Sequence, residues 1–386
     1  MTDEKELLCT LALTRLLPLR CQDQRTLLNA AGSAVAVYEN RHDIGRMMEH
    51  FSPRATQALA AFDHELPRCE QELSYAREHK IKILSIQDED AYPMRLRQCE
   101  DAPLVLYQLG KANLNVPHII SVVGTRKCTE RGRDLCQQLA ADLARLRPDV
   151  LVVSGLAYGI DIAAHRAALD HQLATAAVLA HGLDTIYPPL HRATAIQMLE
   201  NGALITEYMS QAHVDKVNFI QRNRIVATLA DAVVVVESAE HGGSLITAEM
   251  ANGYNREVCA FPGRITDKAS AGCNRLIRRN EARLITSAQD LLDDLGWPPA
   301  QLPDGQQMMN LASTEPPPAA EPNEQSVLDA LKRAGGDLTL SDLIVQSTLP
   351  LPQLTPLLFT LEMKGAIKKL PGNRYHLASL GMKNEE

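Results

Sequence analysis

The sequence predicts an α/β fold: a doubly wound, Rossmann-like parallel sheet core with an N-terminal helical domain and a C-terminal winged-helix domain. Three observations predict it. From Ile81 onward, short apolar runs alternate with helical stretches. These runs are apolar throughout, so both faces of each strand are covered, as in a parallel sheet between helices. After a proline-dense stretch, three helical patterns precede a short hairpin.

Residues 1–80 come first. Leu7, Leu8, Leu11 and Leu13 open an apolar face that Leu27, Leu28, Val35 and Val37 continue, and strand-type runs are absent. This predicts a small helical, SAM-like domain. The core, 81–296, carries its clearest strands at His118–Val123, Val150–Ser154, Thr175–Ala180, Ala203–Thr206, Ala232–Glu237 and Glu257–Ala260. Pro298, Pro299, Pro303, Pro316, Pro317, Pro318 and Pro322 then disfavour helix, which predicts a linker over 297–322. In 323–380 the third helix spans about Leu351 to Lys364. Ala366–Leu370, the turn Pro371-Gly372-Asn373 and Arg374–Leu377 form the hairpin of a winged helix.

The chain has 386 residues, 45% of them hydrophobic and 22% charged, an ordinary globular balance. Its formal net charge is -8, so an anionic ligand must meet a local basic patch rather than a basic protein. The eight cysteines form no CxxC pair and have no His at zinc-ligand spacing, which predicts scattered thiols and no metal. Met1–Glu6 shows no signal-peptide pattern, and no apolar run approaches the ~20 residues of a membrane span. A cytoplasmic protein without a membrane partner is expected.

Open parallel sheets hold ligands beyond the carboxyl ends of their strands, so the loops there are the candidates. In Gly124-Thr125-Arg126, Gly124 allows close backbone approach and Arg126 offers a planar fork to phosphate. A plain strand–helix turn with a surface Arg is the simpler reading. In Ser154–Asp161, Ser154, Gly155 and Gly159 shape a tight loop, and Asp161 is expected to cap the helix carrying His165. In Arg222-Asn223-Arg224 the two Arg do not share a helical face, so one can meet a ligand while the other pairs internally. In Gly242-Gly243-Ser244, Gly243 opens a helix and Ser244 either caps it or binds phosphate. From Arg222 to Arg283, nine basic residues, Arg275 among them, face seven acidic ones.

Several motifs are missing. There is no GxxxxGK[ST], no GxGxxG after the first strand and no GxSxG, which argues against a P-loop ATPase, a dinucleotide enzyme and a hydrolase elbow. Tyr187-Pro188-Pro189 reads as a rigid structural turn. Aromatics are only 4% of the chain, which favours tracking of a phosphate backbone over extensive base stacking. Tyr158 and Phe219 are the aromatics expected near the rim.

Taken in order, the loops resemble the DNA-processing protein A (DprA/Smf) family. The resemblance runs from Tyr92-Pro93 and Asp101-Ala102-Pro103, through Gly124-Thr125-Arg126, Ser154–Asp161 with His165, Gly182-Leu183-Asp184 and Tyr187-Pro188. It continues through Arg222–Ile225, Gly243–Ala248 and Pro262-Gly263 to Gly272–Ile277, covering about 90–290. It implies single-stranded DNA binding, a homodimer, and loading of a RecA-type recombinase during natural transformation. It implies no catalytic reaction and no cofactor. The Gly-x-Arg loop gives Arg126 a DNA-binding role. Phosphate contacts are expected from Gly124, Arg126, Ser154, Gly155, Gly159, Arg222, Asn223, Arg224, Gly243, Ser244 and Arg275.

His181 stands where the family commonly has a Gly-x-Gly turn, and Asn280-Glu281-Ala282 replaces its common Gly-Ala. The predicted third helix of the winged domain has no Lys or Arg over Leu351–Glu362, so major-groove reading of duplex DNA is not expected. Two rival functions stay open. One is a Rossmann-like nucleotide hydrolase of the phosphoribohydrolase type, with Glu249 after Gly242-Gly243. The other is a protein-interaction scaffold.

Overall fold

The structure, a computed structural model, describes residues 4–17, 19–43, 53–298, 300, 322–334, 337–347, 349–363, 366–370 and 374–377. Most of the expected linker and the expected turn 371–373 lie outside the described residues. The chain divides into two compact units, Met1–Gln301 and Leu302–Glu386.

The first unit opens with helices Glu4–Arg15, Cys21–Ala31, Ala34–Glu39, Pro53–Ala60 and Phe62–Glu78. The Glu6 carboxylate takes the free N–H groups of Ala34 and Val35 at the start of the third, where a negative charge is favoured. These helices do not close a core of their own. Leu11, Leu13 and Phe62 share one apolar cluster with Tyr107, Ile205 and Val235 of the sheet. Buried Glu72 ties the fifth helix to the loop beyond the sheet by accepting the Ser210 N–H at 2.9 Å.

The sheet has nine strands. They are β1 (Lys82–Ser85), β2 (Val105–Gly110), β3 (Ile119–Val123), β4 (Leu151–Ser154), β5 (Ala174–Val178), β6 (Ala203–Thr206), β7 (Ala232–Val235), β8 (Glu257–Ala260) and β9 (Arg283–Leu284). Their order is β1-β2-β6-β5-β4-β3-β7-β8-β9. β3 through β9 run parallel, while β1 and β2 are joined antiparallel to each other and to β6. The parallel α/β core is thus as the sequence predicts, and the six expected strands shift at their ends by two residues at most. β1, β2 and β9 are additions. All the parallel strands end on one rim, and the chain reverses its direction of travel between neighbours β3 and β7.

The second unit contains helices Pro322–Ala334, Leu340–Ser347 and Leu351–Met363 with β10 (Leu338–Thr339), β11 (Ile367–Leu370) and β12 (Arg374–Leu377). β12 pairs with both other strands. Val327, Leu343, Leu354 and Leu361 fill its small core.

His165 is a buried polar residue inside the first unit. Its Nδ1 donates to Thr175 Oγ1 at 2.7 Å, because that hydroxyl gives its own proton to the Val152 carbonyl. Burial, aided by the Arg222 charge, pushes its pKa down to about 3. A base depressed in the fold binds fewer protons than in the unfolded chain. Its stabilising contribution is therefore complete above pH ~6.5 and lost as pH falls toward 3. The loss is on the order of 4–5 kcal/mol. Urea unfolding from pH 7 to pH 4 should give a shallower acid limb for His165→Gln than for the unaltered chain. Equal slopes would mean that His165 is not held neutral.

Candidate functional site

The reversal between β3 and β7 marks the crevice where open α/β sheets admit ligands. Here the chain closes it. Thr125 N–H donates to the Glu237 carbonyl at 2.7 Å, and a Cβ at Gly124 would stand 2.8 Å from that same oxygen. The Glu237 carboxylate, fully buried, accepts the Thr129 N–H at 2.9 Å and the Thr129 hydroxyl. Thr129 caps the helix Glu130–Leu146. The protein's own carboxylate therefore fills the anion position at this helix start.

The surface that remains lies outward from this plug. Arg126 is exposed, and its guanidinium stands 5.6 Å from the centre of the Phe219 ring. That distance suits a cation–π contact. Gly159 adopts φ +81°, and any side chain there would collide with the Thr125 carbonyl oxygen. The loops after β3 and β4 thus touch backbone to backbone, which holds the Arg126 backbone against Gly159, the residue after Tyr158. The Phe219 ring also meets the Tyr187 ring at 5.8 Å, edge on. Lys127 and, one turn before Phe219, Lys216 are also exposed.

Three expected ligand groups are structural instead. Arg222 is 4% exposed, and its guanidinium donates to the carbonyls of Gly155 and Val178. It occupies the space that a side chain at Gly155 would need. Burial lowers the Arg222 pKa, and buried Asp161 opposes that shift. Arg224 pairs with Glu207 and stands 3.8 Å from Asp101. Burial works against its charge, but Glu207, Cys21, Asp101 and Tyr92 together outweigh it and raise the guanidinium pKa. Ser154 is fully buried and donates to the Val122 carbonyl at 2.6 Å, so its hydroxyl is turned inward. Each expectation of an outward phosphate contact fails for one reason: the nearest unsatisfied partner lies inside the fold.

Other expected residues are distributed along the rim. Asn223 is half-buried beside the two Arg. Asp161 does not cap its helix; Gly159 holds that position, and Asp161 accepts the Ala157 N–H at 3.4 Å. Ser244 makes no cap either and donates to the Ser238 hydroxyl at 2.9 Å. Gly243 opens on free space at the start of helix Gly243–Gly253. With half-buried Arg275 it lines a cleft of about 740 Å³ beyond β7 and β8. Arg279 shares that cleft with Glu240, Glu249 and Glu281, so its charge is mixed. Tyr187, Lys127 and Lys216 are rim residues that sequence reasoning missed. The signal for Tyr187 was its Tyr-Pro-Pro context, read as structure alone.

All eight cysteines are free thiols, and no cluster among the described residues has the ligands for a metal ion. No helix among the described residues is long and apolar enough to cross a membrane.

Residues 82–296 match the family model of DNA recombination-mediator protein A, more than half of the chain. The chain belongs to the DprA/Smf family. Residues 312–373 match the DprA winged helix domain. The putative DNA processing protein DprA of Mycobacterium tuberculosis is 40% identical over 296 residues, 72% of each chain. Protein Smf of Escherichia coli is 34% identical over 300 residues, 75% of this chain and 76% of its own. The X-ray structure of DprA from Streptococcus pneumoniae superposes with TM-score 0.63 at 32% identity, covering 74% of this chain and 97% of that one. DprA from Helicobacter pylori superposes with TM-score 0.50 at 28% identity, covering 56% and 95%. The latter structure is described as showing a unique single-stranded DNA binding mode.

The two arginine classes in this DprA/Smf protein separate in a denaturation experiment. Arg224→Ala leaves the buried Glu207 carboxylate unpaired and should cost about 3–5 kcal/mol in urea unfolding. Arg126→Ala removes an exposed side chain and should stay within about 0.5 kcal/mol of the unaltered protein. Gly159→Ala, forced to hold φ +81° against the Thr125 carbonyl, should cost at least ~1–3 kcal/mol. Equal stabilities for all three variants would contradict this description of the rim.

Proposed function

We propose that this protein binds single-stranded DNA without sequence preference along the Arg126–Phe219 rim. The observation that carries the proposal is the exposed guanidinium of Arg126 poised over an aromatic ring beside two further exposed cations, Lys127 and Lys216. Cations hold phosphates, and ring faces accept any base. The single-stranded DNA binding mode of the Helicobacter pylori relative supports the same ligand class. Gly124, Gly155 and Gly159 contribute by shaping the two touching loops. Arg222, Asn223 and Arg224 support the rim from beneath. Gly243, Ser244 and Arg275 belong to the neighbouring mixed-charge cleft and serve as a secondary contact for the strand.

Family membership supports a wider role. We propose a non-enzymatic DNA-processing role in natural transformation, in the cytoplasm, as a homodimer that loads a RecA-type recombinase onto the strand. The 323–380 domain, joined through the 297–322 linker, is proposed as a separate module that contacts protein rather than duplex DNA. Its helix Leu351–Met363 carries no Lys or Arg to meet a phosphate backbone.

The test is binding of a labelled oligo-dT strand at several salt concentrations. Three phosphate-holding cations at roughly 0.7 counterions each give a log–log slope of about -2 per protomer. Arg126→Ala should weaken binding on dT and on mixed sequence alike and make the slope shallower by about 0.7. No binding at low salt would overturn the single-strand reading. Unchanged affinity in Arg126→Ala would move the site elsewhere.

A further inference from the structure

Aromatic rings are scarce in this chain: nine Tyr, five Phe and one Trp. Burial is their usual fate, since each ring carries a large apolar area. Among the described residues, two aromatic side chains are exposed, Tyr158 at 45% and Tyr187 at 47%. They come from different loops, after β4 and after β5, both beyond the carboxyl ends of neighbouring parallel strands. Tyr158 precedes Gly159, whose α-carbon packs on the Arg126 backbone. Tyr187 leans on Phe219, the same ring that Arg126 overhangs.

Each tyrosine is tied to a buried histidine, Tyr158 through its ring and Tyr187 through its backbone N–H. The Tyr158 ring meets His191 at 5.1 Å and 70°, and His191 is locked by its Nδ1–H, which donates to the Leu156 carbonyl at 2.7 Å. The Tyr187 backbone N–H donates to His181 Nε2 at 3.2 Å, while His181 Nδ1–H donates to the Gly182 carbonyl at 2.8 Å. Those two bonds require one neutral tautomer, with the proton on Nδ1. His181 is 1% exposed and His191 2%, so neither ring reaches a ligand itself. Neither contact buries the tyrosine, and close to half of each residue stays open to solvent.

We propose that Tyr158 and Tyr187 are base-stacking platforms for the single strand, with His191 and His181 as their positioning residues. This rests on the single-strand reading above and adds to it. Arg126 would hold a phosphate between the two loops, while bases turn outward onto the flanking rings. Stacking of this kind is indifferent to base identity, because every base has a π-face. It also gives a polar-backbone groove a second source of affinity that salt does not screen.

The experiment compares a normal oligo-dT strand with a strand of equal length whose sugars carry no bases, at one salt concentration. Both strands present the same phosphates, and only one presents rings. Tyr158→Ala and Tyr187→Ala should each weaken binding of the dT strand roughly 5- to 100-fold, the span of one lost base stack. Neither should change binding of the abasic strand. Tyr158→Phe and Tyr187→Phe should retain the unaltered affinity, because the ring and not the hydroxyl makes the contact. His181→Ala should copy Tyr187→Ala in this selective loss. Equal losses on both strands, or none on either, would overturn the assignment while leaving the single-strand reading in place. If the unaltered protein binds neither strand, both the reading and this assignment fall together.

Discussion

The Glu237 carboxylate at the switch between β3 and β7 decides where a ligand goes in this protein. Parallel α/β sheets offer one ready anion position, a helix start facing the crevice where the strand order reverses. Here Thr129 supplies that helix start, and Glu237 supplies the anion. Gly124 and Gly132 carry no side chain because any Cβ would run into Glu237. The crevice is therefore filled by a negative charge from within. A phosphate arriving there would meet a buried carboxylate and no room. The useful surface moves outward, to loop tips that a nucleotide-sized pocket would have left as its walls. An extended ligand that lies across a rim suits this geometry better than a compact one that enters a hole.

Positive charge follows the same logic of inside and outside. Arg222 and Arg224 are two residues apart on helix Lys216–Leu229, and both turn inward toward different partners. Arg222 joins the carbonyl ends of β4 and β5 by donating to Gly155 and Val178. Arg224 meets Glu207 and Asp101, from the loops after β6 and before β2. Removing either leaves carbonyl or carboxylate groups buried without partners, which is expensive. These two cations set the loops at fixed separations. Arg126, which bridges nothing inside, is the one of the three free to meet a ligand.

The fold was legible because its signals are local. Strands such as Ala232–Val235 and Leu151–Ser154 are apolar on both faces, and each is followed by a loop and a helix. β1 and β2 escape that pattern. Lys82–Ser85 is half exposed, and Val105–Gly110 leads to another strand rather than to a helix, so neither belongs to a repeating strand–helix unit. The site was legible as loops but not as side chains. Arg222 finds Val178 at a separation of 44 residues, and Arg224 finds Glu207 at 17. Tyr187 meets Phe219 at a separation of 32 residues, and nothing in its neighbours announces it. Periodicity shows which stretches form elements. It does not show which of several arginines the fold uses for itself.

An acidic protein proposed to hold an acidic polymer needs its charge sorted rather than abundant. A net charge of -8 acts weakly on a strand at the rim, because salt screens anything beyond about 8 Å. On the proposed reading, the strand meets the nearest few groups, Arg126, Lys127 and Lys216, each exposed. Many acids are engaged elsewhere, as Asp231 is by Arg95 and Glu72 is by Arg68. Aromatic content obeys the same rule. A chain with 4% aromatics looks poorly equipped for stacking when the rings are counted. It looks different once the two exposed rings among the described residues, Tyr158 and Tyr187, are found on the loops beyond neighbouring strands β4 and β5. Composition sets an upper bound on how many contacts a surface can make. The fold decides whether those few groups meet, and here the loops after β3 and β4 touch at Gly159 while Arg126 and Tyr187 share the Phe219 ring.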